Sequence, residues 1–183
     1  MRDPASEGIG RFVRALAFAA DKHRQQRRKD VAASPYINHP IALADVLVNE
    51  GDIRDPVVLC AAVLHDTIED TETTSAELVG HFGERITAIV LEVTDDKALP
   101  KAERKARQVA HAADLSTPAK LVKLADKICN LRDLLAAPPA GWSAVRKRDY
   151  FAWAAQVAAG LRGTHPGLEA ILDGLLARAG ELD

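Results

Sequence analysis

The stretch Val57-Val58-Leu59-Cys60-Ala61-Ala62-Val63-Leu64 is apolar without interruption, and the six residues after it, His65-Asp66-Thr67-Ile68-Glu69-Asp70, carry an imidazole and three carboxylates. A segment that is apolar on every side belongs in an interior. Buried charge is costly unless it is paired or bound to a metal. The chain must therefore run this segment through its core and bring the charged end to a place where something offsets the charge. If residues 55–69 form one helix, His65 and Glu69 stand at i and i+4, as do Asp66 and Asp70, so both pairs project from adjacent rows of one turn. A neutral imidazole beside carboxylates is a good start on a hard or borderline divalent-cation site. Three carboxylates this close repel unless a cation neutralises them or one keeps its proton. A solvated helix end is the competing reading, although acids at a helix C-terminus oppose the macrodipole.

The rest of the chain also reads as helix, with little strand alternation. The pattern predicts helices near 9–26, 39–50, 55–69, 74–81, 83–95, 100–111, 116–136, 142–162 and 165–179. Gly51 closes the second of these, and Pro56 suits the first turn of the third. Thr74 offers an N-cap, Pro100 opens the Lys101–His111 helix, and Ser116 or Thr117 with Pro118 opens the next. Lys29–Asn38, with its Ser-Pro step at Pro35, reads as a loop or a short irregular hairpin. The expectation is one compact all-α domain over residues 1–183, a bundle of about nine to ten helices.

Two further places concentrate polar chemistry. His39 immediately precedes Pro40 where the chain turns into a helix, a rigid mount for an imidazole, although capping or surface exposure would also account for it. On the helix 116–136, Leu121, Leu124, Ile128, Leu131 and Leu135 form a core-facing stripe. Asp126, Asn130 and Asp133 form a polar row on another side, which a solvent-facing surface would explain equally well. Lys22–Lys29 holds five fixed positive charges in eight residues. Cations at a helix C-terminus are favourable in their own right, and the same density would also hold phosphate groups. Lys101, Arg104 and Lys105 form a weaker basic group.

Several function classes are disfavoured. A net charge of −2 and an aromatic content of 4% argue against a dedicated nucleic-acid binder. No apolar run is long enough to cross a bilayer, and the N-terminus lacks a secretory apolar segment. Cys60 and Cys129 have no CxxC spacing and read as free thiols in a reducing, cytoplasmic setting.

In order along the chain, His39, His65-Asp66 and Asp126 reproduce the pattern H…HD…D, which resembles the HD-domain superfamily of all-α, metal-dependent phosphohydrolases. The surrounding segments HRQQRRKD, PYINHP, LHDTIEDT, HFG, VTDDKALPKAERK and KLVKLADKICNLRDL are more specific. They resemble the (p)ppGpp hydrolase domain of the RelA/SpoT family, most nearly the stand-alone small alarmone hydrolases of the metazoan SpoT homologue type, over about residues 12–161. That resemblance implies a divalent metal, usually Mn²⁺, on His39, His65, Asp66 and Asp126. It implies Glu69 and Asp70 as the pair that positions or activates the attacking water. It also places Arg28, Lys29, Lys101, Asn130 and Tyr150 around the substrate, with Arg24 a further candidate. Cys129 stands where the family carries a larger, often aromatic residue, a change that would alter the pocket wall.

The implied reaction removes the 3′-pyrophosphate of guanosine tetra- or pentaphosphate, giving GDP or GTP and pyrophosphate. The alternative on the same metal site is removal of the 2′-phosphate of NADPH. A second alternative is a catalytically silent nucleotide-binding domain, which the presence of all four ligands and both acids disfavours. His23, His81, His111 and His165 are read as structural. Trp142, Trp153, Phe151 and Phe12 are read as core, and Tyr150 as the aromatic nearest the substrate.

Overall fold

The computed structural model describes residues 4–182. Its helices are α1 (Pro4–Lys22), α2 (Asn38–Asp45), α3 (Pro56–Leu64), α4 (Thr67–Asp70), α5 (Ser75–Phe82), α6 (Glu84–Val93), α7 (Lys101–His111), α8 (Thr117–Ala136), α9 (Ala144–Gly160) and α10 (Pro166–Leu176). Among the described residues there is no β-strand, only an isolated antiparallel bridge between Arg27 and Pro35. The all-α expectation is met.

The apolar run is the axis of the fold. Asp55 caps α3 by accepting from the Val57 amide at 2.8 Å, with Pro56 in the first turn. Val57, Val58 and Cys60 through Leu64 are all buried, and α3 packs against α1, α2, α6 and α8. At about 1.5–3 kcal/mol for each large apolar side chain removed from water, this helix contributes a large share of the core. Helix α8 is its second pillar, touching α2, α6 and α10 through the stripe of Leu121, Leu124, Ile128 and Leu131.

Four of the expected helices have different bounds in the structure. The helix anticipated over 55–69 stops at Leu64 and resumes as the single turn α4. Side chains take the carbonyls a continuous helix would use: His65 Nδ1 donates to Ala62 O at 2.8 Å, and Thr67 Oγ1 donates to Leu64 O at 2.7 Å. Asp66 sits between them at φ −99°, ψ 0°, a sparsely populated region that active-site residues often occupy.

The first helix spans Pro4–Lys22 rather than 9–26. Most of the basic run therefore lies beyond it, on turns and the bridged hairpin, where Arg28 N donates to Ser34 O and Tyr36 N to Gln26 O. The helix dipole consequently accounts for Lys22 alone. The helix expected over 39–50 is α2 followed by a π-helical turn, Val46–Glu50, that ends at Gly51. At the other end of the chain, 165–179 becomes α10 plus a 3₁₀ segment, Ala177–Glu181.

Candidate active site

Each end of the α3–α4 break serves the same spot. His39, in the first turn of α2, His65 at the end of α3 and Asp126 in α8 bring donor atoms within 4.8 Å of one another. His39 Nε2 stands 3.2 Å from Asp126 Oδ1, and His65 Nε2 stands 2.9 Å from Asp66 Oδ2. Both imidazoles are buried. Because His65 Nδ1 gives its proton to the Ala62 carbonyl, a neutral ring turns a bare lone pair on Nε2 toward the Asp66 carboxylate. That nitrogen is buried without a hydrogen-bond partner. Two lone pairs facing each other need a cation between or beside them. A carbonyl behind the imidazole is the arrangement found behind metal-ligating histidines. The set of two nitrogens and two carboxylates suits a divalent ion.

The electrostatics agree. Burial alone would lower the His65 imidazole, but the adjacent Asp66 and the nearby Asp126 outweigh it and push the group up to about 9. Burial likewise opposes charge on Asp126, yet Lys127, His39 and His65 hold its carboxyl well below the usual range. The two carboxylates are held from behind. Asn130 Nδ2 donates to Asp126 Oδ1 at 2.6 Å, Lys127 Nζ to Asp126 Oδ2 at 3.0 Å, and the Tyr36 hydroxyl to Asp66 Oδ2.

One turn on, the two remaining acids differ. Glu69 accepts the Asp95 amide on Oε2 at 3.0 Å and has Arg104 Nη1 3.7 Å from Oε1. Burial and the neighbouring Asp66, Asp95 and Asp70 raise its carboxyl above the usual value. Asp70 accepts from Gln26 Nε2 at 2.8 Å on one oxygen and from Lys97 on the other.

A pocket of about 220 Å³ at these groups shares Arg28, Tyr36, His39, Asp70, Asn130 and Tyr150 with a larger cleft of about 580 Å³. That cleft continues past Arg27 and Lys29 to Trp142. The site is thus one end of a continuous groove.

The HD-domain family profile matches residues 15–155, an interval that contains His39, His65, Asp66 and Asp126. The chain belongs to the HD-domain family. Within that family it is similar to the Homo sapiens protein named guanosine-3′,5′-bis(diphosphate) 3′-pyrophosphohydrolase MESH1, at 56% identity over 169 residues, 92% of this chain and 94% of that protein. Its Xenopus tropicalis counterpart of the same name is 57% identical over 162 residues, 88% of this chain and 90% of the relative. A solved structure, described as a metazoan ortholog of SpoT that hydrolyzes ppGpp and plays a role in starvation responses, superposes with a TM-score of 0.91 at 48% identity. The match covers 93% of this chain and 96% of that one.

In this HD domain, Arg28, Asn130 and Tyr150 line both cavities and Lys29 lines the cleft. Lys29 O accepts from Ala140 N at 2.9 Å, tying the hairpin to the loop after α8. Arg28 pairs with Asp133. Lys101 opens α7 outside both linings. Burial and its neighbours Arg146, Lys29 and Arg104 lower its ammonium, so it shares the field of the basic rim. Arg24 is exposed and paired with Asp21 at 2.8 Å, away from the groove. Cys129 is buried and lines neither cavity, its thiol pushed up to about 12 by burial.

Two aromatics read as core stand at the groove, and one histidine read as structural is buried behind it. Trp142 lines the cleft, and Arg146 lies 4.2 Å over its ring. Trp153 lines the inner pocket under Lys105 and Lys127. His23 is buried against the Tyr36 ring, with centroids 4.8 Å apart. Tyr36 itself was visible only as part of the PYINHP motif, because nothing in its spacing reveals that its hydroxyl reaches Asp66.

Proposed function

We propose that this chain is a divalent-metal-dependent hydrolase that removes the 3′-pyrophosphate of guanosine 3′,5′-bis(diphosphate) and its pentaphosphate analogue. The observation that carries the reading is the continuity of the groove, from the cluster of His39, His65 and Asp126, with Asp66 beside His65, to a basic, aromatic-lined cleft. The names of the relatives support the same substrate. The ion is Mn²⁺ in this reading, held by His39, His65, Asp66 and Asp126. When bound it supplies a Lewis acid for a phosphoryl oxygen and makes a bound water more acidic.

The chain's own groups do the rest. Glu69, its carboxyl raised toward neutrality and its Oε2 held by the Asp95 amide, accepts the proton of the attacking water, a role that needs a base tuned in this direction. Asp70 orients that water from the adjacent position. The water oxygen bonds to the phosphorus on O3′, the P–O3′ bond breaks, and O3′ leaves with a proton as GDP. Arg28 and Lys29 neutralise the remaining phosphate charge, with Lys101 at the rim, and charge-assisted contacts of this kind strengthen as negative charge redistributes. Asn130 serves Asp126 first and lines the substrate side second. Tyr150 packs in a T-shape against Trp153 and forms part of the cleft wall. A cytoplasmic, reducing setting accords with two unpaired thiols.

The test is a substrate panel on purified, metal-stripped protein with Mn²⁺ restored. Guanosine tetraphosphate turning over to GDP and pyrophosphate, faster than NADPH loses its 2′-phosphate, is the expected outcome. Equal or faster release of phosphate from NADPH would make the dinucleotide the better substrate. No Mn²⁺-dependent turnover of either would leave a silent binding domain.

A further inference from the structure

His23 lies one residue beyond α1, is only 2% exposed, and has no part in the cluster or the cleft lining. Its Nδ1 stands 2.6 Å from Gln26 Oε1, and the Gln26 Nε2 amide donates to Asp70 Oδ2 at 2.8 Å. The carboxylate decides which way this amide points, because a reversed amide would set its oxygen against Asp70. Gln26 Oε1 must then face the histidine, which has to present an N–H there. The proton is therefore on Nδ1. Burial lowers the imidazole, so the ring remains neutral with this single proton. The other nitrogen, Nε2, is buried without a partner. The ring packs against Tyr36, tilted at 38° with centroids 4.8 Å apart, whose hydroxyl goes on to Asp66. The other oxygen of Asp70 is held by Lys97, an exposed lysine on the 94–100 loop. Gln26 is thus the inner, anchored contact.

We propose that His23 is a positioning residue. Its Nδ1–H fixes the Gln26 amide, and the amide fixes Asp70, so a side chain outside the reacting cluster sets the geometry of the acid that orients water. This rests on the hydrolase reading for Asp70's role, but the His23–Gln26–Asp70 relay itself rests on geometry alone. A buried polar partner of this kind is worth about 10–100-fold when removed from behind a working group.

The experiment pairs kinetics with a direct view of the proton. His23→Leu and Gln26→Met should each lower kcat on guanosine tetraphosphate about 10–100-fold with KM and bound metal unchanged. The double variant should lose no more than either alone, as members of one chain do. His23→Asn, whose amide N–H sits where Nδ1 does, should restore most of the loss. ¹⁵N spectra of the wild-type protein should show His23 as the Nδ1–H tautomer. Wild-type kcat in Gln26→Met, an Asn variant as slow as the Leu variant, or the Nε2–H tautomer would each overturn the proposal. Gln26 is only partly buried, so Gln26→Met carries the kinetic test if His23→Leu does not fold. A wild-type protein inactive on the alarmone would defeat the hydrolase reading, while the tautomer would still judge the relay.

Discussion

At the inner end of the groove, His39, His65 and Asp126 stand on helices that also build the core. At the outer end, Arg28, Lys29 and Trp142 stand on a bridged hairpin and on the loop after α8. The three inner groups are buried, and most of the cluster is braced from behind: Ala62 O holds His65, Asn130 and Lys127 hold Asp126, and Tyr36 holds the half-buried Asp66, while His39 Nδ1 has no partner. The outer cations are more exposed, and Lys29, Lys101 and Arg146 lie close enough for Lys101 to feel the other two. Such crowding of like charges is tolerated when an anion is to be bound. On the proposed function, the inner end would hold a small cation and carry the chemistry, and the outer end would meet a large, polyanionic substrate and supply affinity.

This contrast is open to direct attack, beginning with the largest effect. Asp126→Asn should reduce hydrolysis to the level of EDTA-treated wild type and abolish stoichiometric metal, as read by elemental analysis. Retained metal would move the site elsewhere. Glu69→Gln should lower kcat by about 10²–10⁴-fold, the usual worth of a general base, while metal content stays at the wild-type level. Loss of metal in that variant would make Glu69 a ligand instead. Arg28→Ala should raise KM about 10–100-fold with a smaller change in kcat, as expected for losing a charge-assisted contact worth about 1.5–3 kcal/mol. Arg24→Ala should leave KM within about twofold, because an exposed pair with Asp21 is worth little. Equal effects at the two arginines would erase the distinction between the groove and its surroundings.

The smallest effect is on stability. With its imidazole raised from the usual 6.5 to about 9, His65 in the metal-free protein contributes stability that is fully present below about pH 6.5 and is lost as pH rises through about 9. Asp66, held lower than usual by His65 against the opposing effect of burial, contributes in the other sense, and its share is lost only in acid. Thermal unfolding of the metal-free protein should therefore weaken between pH 6.5 and 9, and Mn²⁺ should remove most of that slope. A flat profile without metal would mean that no proton bridges His65 and Asp66.

Much of this was legible in the sequence, for identifiable reasons. The run Val57–Leu64 announced the central helix because nothing but an interior suits it, and the order His39, His65-Asp66, Asp126 included the three residues, His39, His65 and Asp126, whose donor atoms the fold brings together. The break after Leu64 was not legible. It depends on His65 and Thr67 side chains taking backbone carbonyls, which helical periodicity does not register. Arg24 and Arg28 look equivalent in a basic run, and only the turn at residues 23–29 and the bridge from Arg27 to Pro35 send one to solvent and the other to Asp133. Trp142 and Trp153 were misplaced for a related reason. An aromatic near an apolar face packs well in a core, and whether that core borders a cleft is settled by tertiary contacts.

The central claim is that one divalent ion sits among His39, His65, Asp66 and Asp126. Anomalous diffraction at the manganese edge from crystals grown with Mn²⁺ tests it most directly. A single strong peak within ligand distance of both Nε2 atoms and of the Asp66 and Asp126 carboxylates is the predicted result. A peak between Glu69 and Asp70, or none among the four residues, would contradict it.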